Sequence, residues 1–384
     1  MPAVYLDWNA TTPPHDEVLD AMREAAERAW GNPSSLHRLG RTAKAVVEQA
    51  REAVAGLSGF SARDVVFTSG GTEANNLALW RPFDGANGET GGVCVTSRLE
   101  HPSVTAVAEQ LERRGVRVVW LDAPASGRID PEQVGRALAL AERGPRLVAL
   151  SAVNHETGVI QPVADVASIT RRRGADLHVD AVQAAGRLEP EAWRGADSVS
   201  LAAHKMRGPK GIGALAVRAG ITLRPLLRGG GQERGLRPGT VDPVAAAGFG
   251  AAARRAEGGP ARYQRLAPLR QSLEERLVAL GEKLGRRPLV NGTAPRAPHV
   301  SNLSWVGWAG DELAAALDLE GICVSAGSAC AAGTPEPSRV IAAMLGEERA
   351  KSAVRMSLGE ETTEEAIETA IVVFERVLRR QPSR

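Results

Sequence analysis

From Asp64 to Asn76 the chain reads DVVFTSGGTEANN: a β-branched, apolar run stops at Ser69, two glycines follow, and a helix-compatible segment begins. Gly70 and Gly71 permit close backbone approach, and Thr72 sets a hydroxyl beside the N–H groups that open the helix, so the stretch reads as a phosphate cradle. Alone, the same residues are equally a glycine turn with an N-cap. The recurrence of the pattern decides the fold. VCVTS (Val93–Ser97), VRVVWLD (Val116–Asp122), RLVALSAVN (Arg146–Asn154), DLHVDAVQ (Asp176–Gln183) and DSVSLAAHK (Asp197–Lys205) are short apolar runs spaced by helical stretches such as HPSVTAVAEQLERRG (His101–Gly115). This is an α/β signature, and strands apolar on both sides fit a mainly parallel sheet covered on both faces. From about Ala251 the pattern changes. A long helical stretch, RYQRLAPLRQSLEERLVALGEKL, leads to HVSNLSW, GICVSA and AVRMSL and a closing helix, TTEEAIETAIVVFERVLRR. We expect a large α/β domain over residues 16–250 and a smaller α+β domain built from 251–384 and the N-terminal arm, residues 1–15.

The 384 residues carry 47 basic and 45 acidic side chains, a net charge of +2, which gives no case for a nucleic-acid or membrane-surface protein. The start, MPAVYLDWNATTPP, lacks the basic and apolar segments of a signal peptide, and no apolar run approaches a membrane span, so the expected compartment is cytoplasmic. Cys94, Cys323 and Cys330 form no CxxC and the seven histidines are scattered, which indicates neither a disulfide framework nor a metal site.

Five of the 47 basic residues are lysine, which leaves 42 arginines. Two of the five, Lys205 and Lys210, fall in SVSLAAHKMRGPKGIGAL (Ser198–Leu215). Lysine, unlike arginine, can lose its proton in a dry pocket and act as a nucleophilic amine, which suggests a Schiff base. Ligands of open α/β sheets sit outside the carboxyl ends of the strands. Asp180 ends DLHVD, where a carboxylate could pair with a protonated pyridine nitrogen; Gln183 follows it, Asn154 follows LVALSAV, and His101 opens a helix where it could stack on a cofactor ring. Each has a plain structural alternative, as N-cap, turn or surface charge. Together with the cradle they make one pyridoxal-phosphate site.

The order YLDWNATTP, GNPSSLH, FTSGGTEANN, VNHETGVIQPV, HVDAVQAAG, AAHKMRGPKGIGAL, GGGQERGLRPGT, SAGSAC resembles that of the cysteine desulfurases, which are fold-type I, class V pyridoxal-phosphate enzymes. The resemblance spans Tyr5 to about Thr363. It implies an α/β transferase fold, a pyridoxal 5'-phosphate cofactor, L-cysteine as substrate and a homodimer. It makes Lys205 the Schiff-base lysine, Asp180 the pyridinium partner and His101 the stacking residue. Asn154 and Gln183 would bond the ring substituents, Gly71, Thr72 and His204 would hold the phosphate, and Thr240 would reach the phosphate from a second subunit. Arg355 matches the arginine that binds the substrate carboxylate, with Asn154 beside it.

SAGSACAAGTPEPSRV (Ser325–Val340) sets Cys330 among small residues and two prolines, a loop composition, whereas Cys94 and Cys323 lie in apolar runs and read as core. Cys330 stands where the family carries its sulfur-accepting cysteine. The implied reaction converts L-cysteine to L-alanine and leaves a persulfide on Cys330 for an acceptor protein: an iron–sulfur scaffold, a tRNA-thiolation relay or DNA-phosphorothioation machinery. Two positions depart from the family pattern. Ala202 replaces a phosphate-binding serine, a lost charge-assisted hydrogen bond of about 1.5–3 kcal/mol, and Gln232 replaces a common histidine. A selenocysteine lyase or an aminotransferase would keep the cofactor set without a persulfide on Cys330, and a non-enzymatic scaffold on the same fold would need none of it.

Overall fold

A computed structural model of the chain describes residues 3–83, 92–140, 144–305, 307–327 and 336–380. In chain order its strands are β1 (Val4–Tyr5), β2 (Val65–Thr68), β3 (Val93–Ser97), β4 (Arg117–Leu121), β5 (Arg146–Ser151), β6 (Asp176–Asp180), β7 (Ser198–Ala202), β8 (Gly213–Val217), β9 (Leu289–Val290), β10 (Val300–Ser304), β11 (Ile322–Cys323), β12 (Ser325–Ala326) and β13 (Ala353–Ser357). Seven form one sheet, in the order β2-β8-β7-β6-β5-β3-β4, with β8 antiparallel to both neighbours and the other pairs parallel. The mainly parallel sheet read from the sequence is present.

Its apolar runs have a direct cause in how the two faces are covered. Val65, Phe67, Val148 and Leu150 face one apolar cluster, shared with Val18 of α1 (Asp16–Arg28), Val47 of α2 (Arg38–Ser58) and Phe249 of the helix Pro243–Ala256. The alternate residues Val66, Cys94, Leu147 and Ala149 face another, shared with Leu77 of α3 (Gly71–Trp80) and Val107 of α4 (Pro102–Arg113). With both faces dry, every strand position favours an apolar residue. Register then sets the site. Ser151 pairs with Asp180 and Asp180 with Ser200, so β5, β6 and β7 end level, and their following residues emerge at one edge.

The C-terminal part carries an antiparallel sheet, β12-β13-β10-β9, and a third apolar cluster that includes Leu6, Leu277, Trp305 and Phe374. Two stretches differ from their sequence reading. GICVSA is two strands rather than one: β11 pairs with β1, while β12 pairs with β13, so the chain changes sheets at Val324. The long helical stretch is divided at Arg265 into helices Gly259–Gln264 and Leu266–Lys283. Among the described residues no helix is long and apolar enough to cross a membrane.

The N-terminal arm is clamped onto β13. Leu6 O accepts from Ser357 N at 2.7 Å, Trp8 N donates to Ser357 O at 3.2 Å, and Trp8 lies against Gly359, where a Cβ would sink into the indole. Gly359→Ala therefore displaces the arm, and overpacking of this kind costs about 1–3 kcal/mol. We expect a lower urea midpoint for Gly359→Ala, partly restored when Trp8→Leu is added to the same chain. Additive losses in the double variant would show that the two residues do not press on one another.

Candidate active site

At the carboxyl edge of the large sheet lies a cavity of about 250 Å³, lined by residues that include Gly71, Thr72, His101, Asp180, Gln183, Ala202, His204 and Lys205. Each of these was singled out from the sequence, and the ends of four strands, β2, β3, β6 and β7, bring them together. The anion end is made by α3, whose first N–H groups have no acceptor within the helix. A Cβ on Gly71 would stand 2.7 Å from Val182 Cγ2, and one on Gly213 would stand 2.5 Å from Leu201 O and 2.7 Å from Gly70 Cα. Glycine at both positions lets the turn, β7 and β8 close up around the helix start.

Across the cavity, Asp180 is held by two donors: Val182 N on Oδ1 at 2.9 Å and Asn75 Nδ2 on Oδ2 at 2.7 Å. Lys205 Nζ donates to the carbonyls of Asn9 at 2.5 Å and Ala10 at 2.8 Å. His101 caps α4 through Nδ1, which accepts from Ser103 N at 3.1 Å, and its ring meets the His155 ring edge-on at 5.2 Å. Burial pushes His101 below the usual imidazole range and outweighs the pull of Asp180, and Lys205 pushes the same way as burial. His204 is pushed down to about 4 by burial and then by Lys205, Lys210 and Arg187. Both rings are therefore neutral at pH 7 and act as donor or acceptor rather than as charge. The donor set suits pyridoxal phosphate: a glycine-opened helix N-terminus with the Thr72 hydroxyl for the phosphate, a carboxylate for a ring nitrogen, a lysine amine and an imidazole wall.

Three expected residues do not line this cavity. Asn154 is buried, with Oδ1 accepting from Glu156 N, Thr157 N and Thr157 Oγ1 at 3.0, 2.8 and 3.0 Å, and Nδ2 donating to Leu99 O. Thr240 is exposed, in a segment whose Gln232 Oε1 accepts from Gly239 N at 3.2 Å and whose Glu233 accepts from Arg51 and Phe67 N. Arg355 is buried beside the arm: its fork donates to Asp7 Oδ1 at 2.6 Å, Ser325 Oγ at 3.1 Å and His155 O at 3.1 Å, and its Nε meets no acceptor among the described residues. Cys330 lies outside the described residues. Cys94 is fully buried and its thiol is pushed up to about 12 by burial. Cys323, expected in the core, is only partly buried, because β11 is a two-residue strand paired on one side with β1; burial and then Asp318 raise its thiol as well.

Sequence reasoning missed Asn9, Asn75, Ser103, His155 and Arg187. Asn9 O accepts from both Lys205 and Gln183, while Asn9 Oδ1 accepts from Arg187 at 2.9 Å and His299 at 3.0 Å. The only signal was position: Asn9, Asn75, His155 and part of the Asp180 surroundings fall inside the motifs quoted above, but nothing in their residue types marks them.

The family described as Aminotransferase class-V has a sequence model that matches residues 4–369. The chain belongs to the class V aminotransferase family. Its relatives place it among the cysteine desulfurases of that family. A cysteine desulfurase of Cereibacter sphaeroides is 41% identical over 381 residues, 97% of this chain and 95% of that one. Cysteine desulfurase IscS of an Anaeromyxobacter species is 40% identical, over 97% of this chain and 92% of its own. A solved NifS-like protein superposes with a TM-score of 0.88 at 32% identity, covering 98% of this chain and 99% of its own.

One buried carboxyl supports the cysteine desulfurase site from behind. Glu100 precedes His101, and its carboxyl accepts from Ser151 N at 2.7 Å and Ser97 Oγ at 3.0 Å, tying the His101 turn to the end of β5. Burial pushes it up to about 7, against the lowering effect of those two donors. The folded protein therefore keeps a proton that the unfolded chain has lost, so this group's contribution to stability falls as pH rises from about 4.5 to about 7 and is level above that. Glu156 is pushed up to about 7 in the same way, while the buried histidines act oppositely as pH falls. The difference between Glu100→Gln and the parent isolates the Glu100 contribution. We expect the variant's melting temperature to gain on the parent's as pH rises through that window, and a pH-independent difference would remove Glu100 as a buried acid.

Proposed function

We propose that this protein is a pyridoxal-phosphate-dependent cysteine desulfurase that converts L-cysteine to L-alanine and passes sulfur to an acceptor protein through a persulfide on Cys330. What carries the reading is the meeting of Lys205, Asp180, His101, His204 and Thr72 around one cavity at the sheet edge, in a chain whose full-length relatives are named cysteine desulfurases. Lys205 holds the cofactor covalently and Asp180 keeps the proton on the pyridine nitrogen. Thr72, the N–H groups of α3 and His204 take the phosphate, with Thr240 of a second subunit in a homodimer, and His101 covers the ring. Gln183 bonds a ring substituent, and the tightly engaged Asn154 fixes the turn that carries His155. When bound, the cofactor supplies an electron sink that makes a Cα proton removable.

The residues supply the remainder. The Arg355 fork would take the substrate carboxylate, and the Lys205 amine, freed when the substrate amine replaces it on the cofactor, would receive the Cα proton. The Cys330 thiolate attacks the substrate sulfur: the carbon–sulfur bond breaks, a sulfur–sulfur bond forms, and the carbon fragment takes up protons and leaves as L-alanine. Ala202 offers the phosphate no hydroxyl, so the load falls on Thr72, His204 and backbone N–H groups. We further propose that residues 16–250 form the cofactor-binding unit and residues 1–15 with 251–384 the unit that carries Cys330.

The test is alanine and sulfide formation from L-cysteine by the cofactor-loaded protein. Lys205→Ala is expected to lose the visible cofactor band and at least about 10²–10⁴-fold in rate. Cys330→Ser should keep the band, respond spectrally to L-cysteine, and form neither alanine catalytically nor a persulfide detectable by mass spectrometry. Full alanine production by Cys330→Ser, or sulfur found on Cys94 or Cys323, would overturn the desulfurase reading in favour of a lyase.

A further inference from the structure

Along the cavity wall, and behind it at His178, runs a chain of buried polar side chains whose hydrogens are fixed by elimination. The Asp180 carboxylate only accepts, so the Asn75 atom facing its Oδ2 at 2.7 Å is the amide nitrogen. The other Asn75 amide hydrogen goes to Ser103 Oγ at 2.8 Å. Ser103 Oγ thus receives a hydrogen from Asn75, and its own hydrogen goes to His101 Nδ1 at 2.8 Å, where Ser103 N also donates at 3.1 Å. With two donors on Nδ1, the ring proton of His101 resides on Nε2.

On the far side, Asn75 Oδ1 faces His178 Nε2 at 3.0 Å, so His178 donates there and its Nδ1 accepts from Ser198 Oγ at 2.9 Å. His178 is fully buried and pushed down to about 3, first by burial and then by Arg81, so it is a neutral donor over the whole working pH range. Turning the Asn75 amide over would place its oxygen against the Asp180 carboxylate, a repulsive contact, so Asp180 gives the amide one orientation and the His178 tautomer follows from it.

We propose that Asn75 is a positioning residue that couples the orientation of the Asp180 carboxylate to the tautomer of His101, with its amide oxygen taken up by the buried His178 ring. Asn75 lines the cavity and acts through its two neighbours: it sets the charge that would face the ring nitrogen and the proton face of the imidazole that would cover the ring. The catalytic consequence rests on the desulfurase reading, whereas the hydrogen order does not. Among the described residues, the charged and titratable groups that face His101 are Asp180 from β6, Lys205 from just after β7, and His155 from the turn after β5. All three remain in the variants below, so a change in His101 is read against a constant set.

The experiment uses the cofactor-loaded protein with ¹⁵N-labelled histidine rings, the His101 signals being assigned by difference from His101→Gln. In the parent, Nε2 is expected to be protonated and Nδ1 unprotonated at neutral pH. Ser103→Ala removes one donor from Nδ1 and should move the His101 protonation midpoint to higher pH, with a smaller change in the pH dependence of the visible cofactor band, since Asp180 keeps Asn75. Asn75→Leu should change both, and lower kcat by about 10–100-fold with KM for L-cysteine within about threefold, the pattern for loss of a group that orients others. A packing role alone would lower the denaturation midpoint of Asn75→Leu and leave the His101 signals and the band's titration as in the parent, which would overturn the proposal. Should Asn75→Leu not fold, Ser103→Ala decides, since an unchanged His101 midpoint in that variant overturns the coupling. A parent that makes no alanine would sink the desulfurase reading, and the ring signals would still decide the hydrogen order.

Discussion

The Arg187 guanidinium is almost wholly buried and meets no carboxylate among the described residues. Its terminal N–H groups go instead to four oxygens from three stretches: Asn9 Oδ1 at 2.9 Å and Trp8 O at 3.0 Å, Lys205 O at 2.9 Å, and the carboxamide of Gln183. The Nε–H meets no acceptor among the described residues, so these four bonds carry the whole compensation for a buried cation without a counter-ion, whose desolvation costs several kcal/mol where donors go unmet. Two of the four acceptors belong to the N-terminal arm. The large sheet therefore cannot reach its lowest free energy at this edge until the arm is docked, and docking the arm delivers the Asn9 and Ala10 carbonyls to Lys205. The cavity and the arm are consequently one cooperative feature.

Burial explains most of the neutral imidazole in the site, and the same cation adds to it at two rings. Arg187 is among the charges that keep His204 and His299 unprotonated, with burial the larger cause in each. Neutral His299 can donate Nε2–H to Asn9 Oδ1, which already accepts from Arg187, and so the arm's asparagine is pinned from two sides. A protonated His299 would add a second uncompensated cation beside the first. The charge pattern of the cavity then reduces to a fixed carboxylate, Asp180, a lysine, Lys205, and uncharged donors and acceptors between them, a field that favours one orientation of a zwitterionic ring system.

Much of this was legible in the sequence, and the failures have physical causes. The runs around Val65–Thr68 and Arg146–Ser151 announce strands because a sheet covered on both faces demands apolar residues at every position, and chemistry collects after them because parallel strands leave their carboxyl ends open. Asp180, His101 and Lys205 could be read because each is an unusual residue type at a strand end or helix start. Asn75, Asn9 and Arg187 could not, since buried hydrogen-bonding residues look in sequence like any turn or surface residue until their partners, over 100 positions away in the pairs Asn75–Asp180 and Asn9–Arg187, are known. GICVSA misled because a continuous apolar run does not say which sheet each half joins. Cys323 misled for a related reason: an apolar neighbourhood in sequence says little about burial when the strand is two residues long.

The same constraint reaches Arg355, the residue proposed above for the substrate carboxylate. Its fork is held by Asp7 of the arm and by Ser325, and its third partner is the carbonyl of His155, whose ring packs on His101. Asp7 balances the buried charge, so the guanidinium does not depend on an anionic ligand for its placement. A substrate carboxylate binding there would have to share the cation with Asp7, which makes binding weaker than to an unpaired arginine and more selective: an amino acid gains only if its amine and side chain are also placed. Because Asp7, Asn9 and Ala10 lie on one short arm, the group that tunes the carboxylate site and the carbonyls that receive the lysine move as a unit. A displacement of the arm would therefore disturb substrate orientation and proton transfer together, although its residues contribute only one side chain, Asp7, to the first and only backbone oxygens to the second.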